Sequence, residues 1–237
     1  MLSATLAGSI FKNCAMVAVS KCLPSINPVF SKIIVKGIKF FKTLKKEKNF
    51  IYSLLKPIYT ILLIILFRPK VIGKENIPDG GALIFAGNHK HAVDPTMVMM
   101  STKRIVHYMA KEELFRGLHG ILFRKIGLIK IHRGKSNPQA VIEAENILNA
   151  GGTIGIFPEG TRNKGTEELL KFRHGAVAIA KKTNTLIMPF AIKNKYKIFK
   201  RSVVIEFGKP IDVSNMEIEE ANDYLRNEVL KLLRNGE

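Results

Sequence analysis

The stretch "ALIFAGNHKHAVDPTMVMM", residues 82–100, decides the architecture. Its first part is an almost continuous apolar run closed by Gly87, which is the pattern of a buried or half-buried strand. A short polar loop follows. Pro95 then disfavours a helical conformation at Asp94 but suits the first position of a helix, so Asp94 is expected to cap a helix beginning "PTMVMM". Strand, loop and helix in that order form half of a parallel β-α unit.

The same alternation continues along the chain. "KVIGK", "RIVHYMA", "LIKIHR", "TIGIFP", "LIMPFAI" and "SVVIEFG" read as further buried or half-buried strands, separated by helical patterns. Pro138 opens one helix, "PQAVIEAENILNA", and Gly151 with Gly152 closes it. Ser214 and Glu217 have the spacing of a capping box ahead of a C-terminal helix. Strands separated by helices imply an α/β fold: a single domain with a mostly parallel mixed sheet flanked by helices.

Upstream the composition changes. Residues 1–47 form a basic amphipathic extension in which Lys32, Lys36, Lys39 and Lys42 recur at helical spacing, with Ile33, Val35, Ile38, Phe40 and Phe41 between them. Such a helix is suited to the headgroup region of a bilayer, although a solvated helix packed on the core has the same periodicity. Residues 48–69 contain "FIYSLLKPIYTILLIILF". Its unbroken apolar part, 57–67, is shorter than the roughly 20 residues of a spanning helix, and Lys56 interrupts the longer version. Interfacial or re-entrant insertion is the expectation, with Arg68 and Lys70 as headgroup anchors. Residues 70–237 would carry the functional domain.

The net charge of +19 directs attention to an anionic partner, either nucleic acid or the anionic lipid of a cytoplasmic leaflet. The chain has no Trp and no nucleic-acid motif, and its arm is too apolar for a nucleic-acid tail, so no nucleic acid is expected. Membrane association on the cytoplasmic face is. Cys14 and Cys22 have no neighbouring ligand or partner pattern, which points to a reducing compartment. Lys12 breaks the first apolar stretch, so no signal peptide is expected.

Two constellations carry chemistry. In "NHKHAVD" a loop can return the imidazole of His89 onto the carboxylate of Asp94, which would fix its tautomer and raise the basicity of its second nitrogen. A metal held by His89, His91 and Asp94 is the competing reading, weakened by the absence of another clustered ligand pair. In "FPEGTRNKG", residues 157–165, a flexible backbone, a hydroxyl and a guanidinium at a strand end are the ingredients of a phosphate cradle, or of a polar turn with a surface ion pair.

These motifs resemble those of the glycerolipid acyltransferases, "NHKHAVD" matching N-H-x-x-x-x-D and "FPEGTR" matching F-P-E-G-T-R. The order of blocks is similar too, with "KEELF" and "GLIKIHRG" between them and "LIMPFAI" after. The resemblance covers residues 50–207 and is nearest to the bacterial enzymes that acylate 1-acyl-sn-glycerol 3-phosphate. It implies that His89 is the general base and Asp94 its orienting acid. It also implies that Lys111, Arg133, Glu159, Gly160, Thr161 and Arg162 hold the acceptor's phosphate and glycerol, and that Pro189 shapes the acyl side. The family more often has a small hydroxyl residue where His91 stands.

On this reading the substrates are lysophosphatidic acid and an acyl-CoA or acyl carrier protein thioester. No metal or other cofactor is expected. No G-x-S-x-G elbow occurs, so direct attack by an activated hydroxyl is expected in place of an acyl-enzyme. Three alternatives stay open: another acceptor, a thioester hydrolase, and a basic membrane-binding protein without catalysis.

Overall fold

The computed structural model describes residues 49–132, 136–201 and 203–235. Arg133 and the extension 1–47 lie outside the described residues. The chain enters as helix α1 (Phe50–Phe67), then runs through β1 (Lys70–Ile72), β2 (Leu83–Gly87), α2 (Asp94–Ser101), β3 (Val106–Lys111) and α3 (Gly117–Lys125). It continues through β4 (Ile129–Ile131), α4 (Pro138–Asn149), β5 (Thr153–Ile156), α5 (Gly175–Thr183), β6 (Leu186–Lys193), β7 (Val204–Phe207) and α6 (Ile218–Arg234).

All seven expected strands form, in one sheet of order β1-β7-β6-β2-β5-β3-β4. Every pairing is parallel except β6 with β7, which makes the sheet mixed as expected. Strand β2 sits near the middle, between β6 and β5, and all five of its residues are buried. Alternate side chains serve opposite layers. Ile84 and Ala86 face α4, α5 and α6 through Ala144, Val177, Ala180, Leu225 and Val229, while Leu83 and Phe85 pack with Met97 and Val98 of α2 and Tyr52 and Leu63 of α1. The alanines let α4 and α5 approach the sheet closely.

Helix boundaries depart from expectation in two places. Helix α6 begins at Ile218 after Glu217, so Ser214 is not its cap; the Ser214 amide instead donates to Asp212 Oδ1 at 2.9 Å. The first helical residue of α2 is Asp94 itself, and its carboxylate turns back to the loop before it rather than forward onto helix amides. The backward amides win because the loop supplies two of them on one oxygen.

Helix α1 runs unbroken through Lys56 and Pro57. Asn49 caps it by accepting the Tyr52 amide at 2.9 Å, and Arg68 ends it in a left-handed conformation. Lys56 does not interrupt the outer surface, because its ammonium is turned inward onto the carbonyls of Thr102 and Arg104. Tyr52, Leu63 and Phe67 are buried, whereas Phe50, Leu54, Ile58, Ile61, Leu62 and Ile65 are all exposed. The helix is therefore apolar on both its core side and its outer side, and by length and composition it could cross a membrane.

Candidate active site

The site is assembled on the loop that leaves β2. Asn88, buried, continues the ladder beyond the end of the strand with its side chain. Its Nδ2 donates to the Ile192 carbonyl at 2.9 Å, and its Oδ1 accepts the Ile192 amide at 2.7 Å. A side-chain amide thus replaces a peptide unit, and the backbone is released to turn. Gly87 is required just before it, since a Cβ there would stand 2.3 Å from the Phe190 carbonyl oxygen.

The turn places His89 Nδ1 at 2.9 Å from Asp94 Oδ2, with Asp94 wholly buried and the His89 side chain 12% exposed. The same Oδ2 accepts the amides of Lys90 and His91, both at 2.7 Å, and Oδ1 accepts the hydroxyl of Tyr196 at 2.6 Å. A buried carboxylate is tolerable only when so saturated with donors. Burial, and then the Asp94 charge, push the Tyr196 hydroxyl well above its ordinary range, so it stays a donor. With Nδ1 committed to Asp94, Nε2 is the nitrogen left to take a proton.

The imidazole is also clamped by its ring. It stacks on Phe157 at 4.0 Å between centroids, and Phe157 stacks in turn on Tyr108. Its backbone is tied to the third motif: the His89 amide donates to Glu159 Oε1 at 2.6 Å, and the His89 carbonyl accepts the Asn163 amide at 2.7 Å. Glu159 accepts the Leu170 amide on its other oxygen at 3.1 Å. Both carboxylate oxygens are thus occupied by the scaffold, and the geometry gives Glu159 the task of positioning His89. Burial raises its pKa despite these two amides.

The remaining residues are distributed as follows. Gly160 has a positive φ of 68°, and a Cβ on it would meet the guanidinium of Arg173 at 2.7 Å, which sets Arg173 against the motif loop. Thr161 and Arg162 are exposed on that loop, and Lys111 is half-buried at the end of β3. Pro189 is buried inside β6, beside Ala86 in the register. His89, Lys111 and the third motif therefore all lie at the carboxyl ends of parallel strands, where α/β sheets open a crevice for ligands. Asn88, Tyr196 and Arg173 have structural parts in the site beyond those expected. Asn88 stood in the motif itself, but Tyr196 has no signal in sequence because 102 residues separate it from Asp94.

His91 does not join a metal cluster. Its ring lies 4.5 Å from that of Tyr196, and its Nδ1 accepts the Val93 amide at 3.3 Å. Among the described residues no three or more His, Cys, Asp or Glu side chains are grouped to hold a metal ion.

A histidine oriented by a buried carboxylate, at the mouth of a central parallel strand, has the geometry that general-base chemistry requires. The family model described as Acyltransferase matches residues 68–193, more than half of the chain, and the chain belongs to that family. It is 32% identical over 177 residues to a 1-acyl-sn-glycerol-3-phosphate acyltransferase of Borreliella burgdorferi, covering 69% of this chain and 70% of that one. A Bacillus subtilis protein of the same description is 32% identical over 150 residues, 60% of this chain and 73% of its own length. The crystal structure of the 1-acyl-sn-glycerophosphate acyltransferase PlsC from Thermotoga maritima superimposes with a TM-score of 0.61 over 84% of this chain and 87% of that chain, at 20% identity, and so shares the fold. The protein is an acyltransferase.

Proposed function

We propose that the protein transfers a fatty acyl chain from a thioester to the free hydroxyl of 1-acyl-sn-glycerol 3-phosphate, giving phosphatidic acid. The observation that carries this reading is the His89–Asp94 pair, held at 2.9 Å on a loop tied from both sides. The acceptor is supported by the names of the similar proteins from Borreliella burgdorferi and Bacillus subtilis.

In this mechanism His89 Nε2 removes the acceptor's hydroxyl proton as its oxygen attacks the thioester carbonyl. The C–O bond forms, the C–S bond breaks, and the proton passes from the imidazolium to the departing thiolate. Asp94 stabilises the imidazolium between these steps. A positioned base contributes about 10² to 10⁴ in rate, so orienting the two substrates must supply much of the remainder. Lys111, Thr161, Arg162 and Arg133 are proposed to take the acceptor's phosphate and glycerol, with Glu159 and Gly160 shaping the loop that presents them. Acyl-CoA or acyl carrier protein would be the donor, and Pro189 would border the acyl chain.

The exposed apolar side of α1 supports attachment to a bilayer, where both acceptor and product reside. The full chain, supplied with lysophosphatidic acid and each donor separately, is expected to form phosphatidic acid with at least one of them. Activity confined to another lysolipid, or release of free fatty acid without transfer, would sink this reading.

A further inference from the structure

The segment joining β6 to β7, "NKYKIFKR" at 194–201, has an outer side that the chemistry above does not use. Tyr196 turns inward to Asp94. On the outer side a cavity of about 780 Å³ is lined by Lys70, Asn194, Lys195, Lys197 and Arg201, over Val203 and Val204, with no acidic side chain among the described residues that line it. Four cations collected around one hollow give it a positive potential that favours an anion. The volume is that of a small-ligand site.

Two further observations identify the kind of anion. Ile198 and Phe199, at the tip of the segment, are 61% and 65% exposed. The Phe199 amide donates to the Leu66 carbonyl at 2.6 Å, which fastens this tip to the last turn of α1, where Ile64 and Ile65 are also exposed. Apolar tips beside a cationic hollow suit a bilayer surface, with side chains in the acyl boundary and ammonium groups at phosphate depth. The strand register places the hollow with the dyad. Lys193 pairs with Val204 across the antiparallel β6–β7 pair, and Gly87 pairs with Phe190, so the start of β7 lies at the same sheet end as the loop after β2.

We infer that Lys70, Lys195, Lys197 and Arg201 form a binding site for the phosphate headgroup of an anionic bilayer lipid, distinct from the acceptor bound at the dyad. The inference rests on the membrane-bound reading of the enzyme. The site holds the dyad's end of the sheet against the bilayer.

The test compares the full chain with a Lys195→Gln, Lys197→Gln, Arg201→Gln variant in sedimentation with phosphatidylcholine vesicles, with and without phosphatidylglycerol. A variant with Lys74, Lys182 and Lys209 changed to Gln controls for net charge. The pocket variant is expected to lose about tenfold or more of its affinity for the anionic vesicles. Its binding to pure phosphatidylcholine and its acyl transfer in detergent micelles should not change, and the control should lose much less. An Ile198→Ser, Phe199→Ser variant is expected to weaken binding to both vesicle types.

Unchanged anionic-vesicle affinity in the pocket variant, or an equal loss in the control, overturns the inference. So does retained vesicle binding with a raised KM for acyl-CoA in micelles, which would give the hollow to the soluble donor. Vesicle binding is read without turnover, so a wild-type chain that binds as expected but forms no phosphatidic acid from lysophosphatidic acid overturns the proposed function alone.

Discussion

The hydroxyl of Tyr196 donates to Asp94 Oδ1 at 2.6 Å, so the carboxylate that orients His89 is fixed by a residue of the segment that follows strand β6. A hydrogen bond to a charged group contributes roughly 1.5 to 3 kcal/mol. Tyr196→Phe keeps the ring against Phe67 and His91 and removes that bond alone. The expected result is a lowered kcat with KM for the acceptor little changed, and a lower urea midpoint. A purely structural tyrosine would lower the midpoint and leave kcat intact.

Two histidines stand close in sequence but differ in task. His89→Ala removes the base and should lower transfer by about 10² to 10⁴ while lysolipid binding persists. His91→Ala removes an exposed ring beside Tyr196 and should cost far less. Parallel assays of the two variants decide the assignment; near-normal turnover in the first with loss in the second would reverse it.

Burial keeps the Glu159 carboxyl above its ordinary range, so the folded chain retains this proton at pH values where the unfolded chain has lost it. Its contribution to stability is therefore fullest below the unfolded pKa of about 4.3 and declines as pH rises through the raised folded value. Glu159→Gln has no proton to release. Urea midpoints measured from about pH 4 to about pH 7 should fall in the wild type relative to this variant. The variant should also be less active, since its amide cannot accept both the His89 and the Leu170 amides.

Gly87 lies where any side chain would meet the backbone of β6. Gly87→Ala is expected to destabilise the protein by about 1 to 3 kcal/mol and to displace the following Asn88 and His89. Chemical denaturation measures the first effect. The second should appear as a loss of activity at temperatures where the variant is still folded.

Helix α1 has two apolar sides that should respond differently. Leu63→Ala opens a cavity in the core and should cost about 2 to 5 kcal/mol. Ile58→Glu with Ile65→Glu changes only exposed positions, and should leave the unfolding midpoint within a small margin of wild type while reducing recovery with membranes. Equal recovery of this double variant and wild type would remove the outer side of α1 from membrane attachment.

Much of this was legible before the structure. The seven strands carry short, locally concentrated apolar signals, and Pro138 and Gly151 mark α4 with residues whose backbone preferences leave few options. The His89–Asp94 contact was legible for the same reason, being closed within one loop. What sequence left open depends on direction rather than composition. Lys56 looks like a break in an apolar run until its ammonium is seen to reach carbonyls 46 and 48 residues away. Asp94 has the preferences of a cap, but amides before it compete with amides after it, and only the turn decides. Glu159 has the identity expected of a ligand contact, yet its partners are two backbone amides from separate loops.

The 102-residue span between Asp94 and Tyr196 also sets an order of events in the making of the enzyme. Strand β2 and helix α2 leave the ribosome long before β6 and the segment after it, so the nascent chain holds both members of the dyad with one of the carboxylate's oxygens still lacking its donor. Asn88 is in the same position, since Ile192, whose peptide groups it pairs with, has not yet been made. An emerging chain therefore carries the motif without the geometry, and turnover begins only once the C-terminal third has been synthesised and docked.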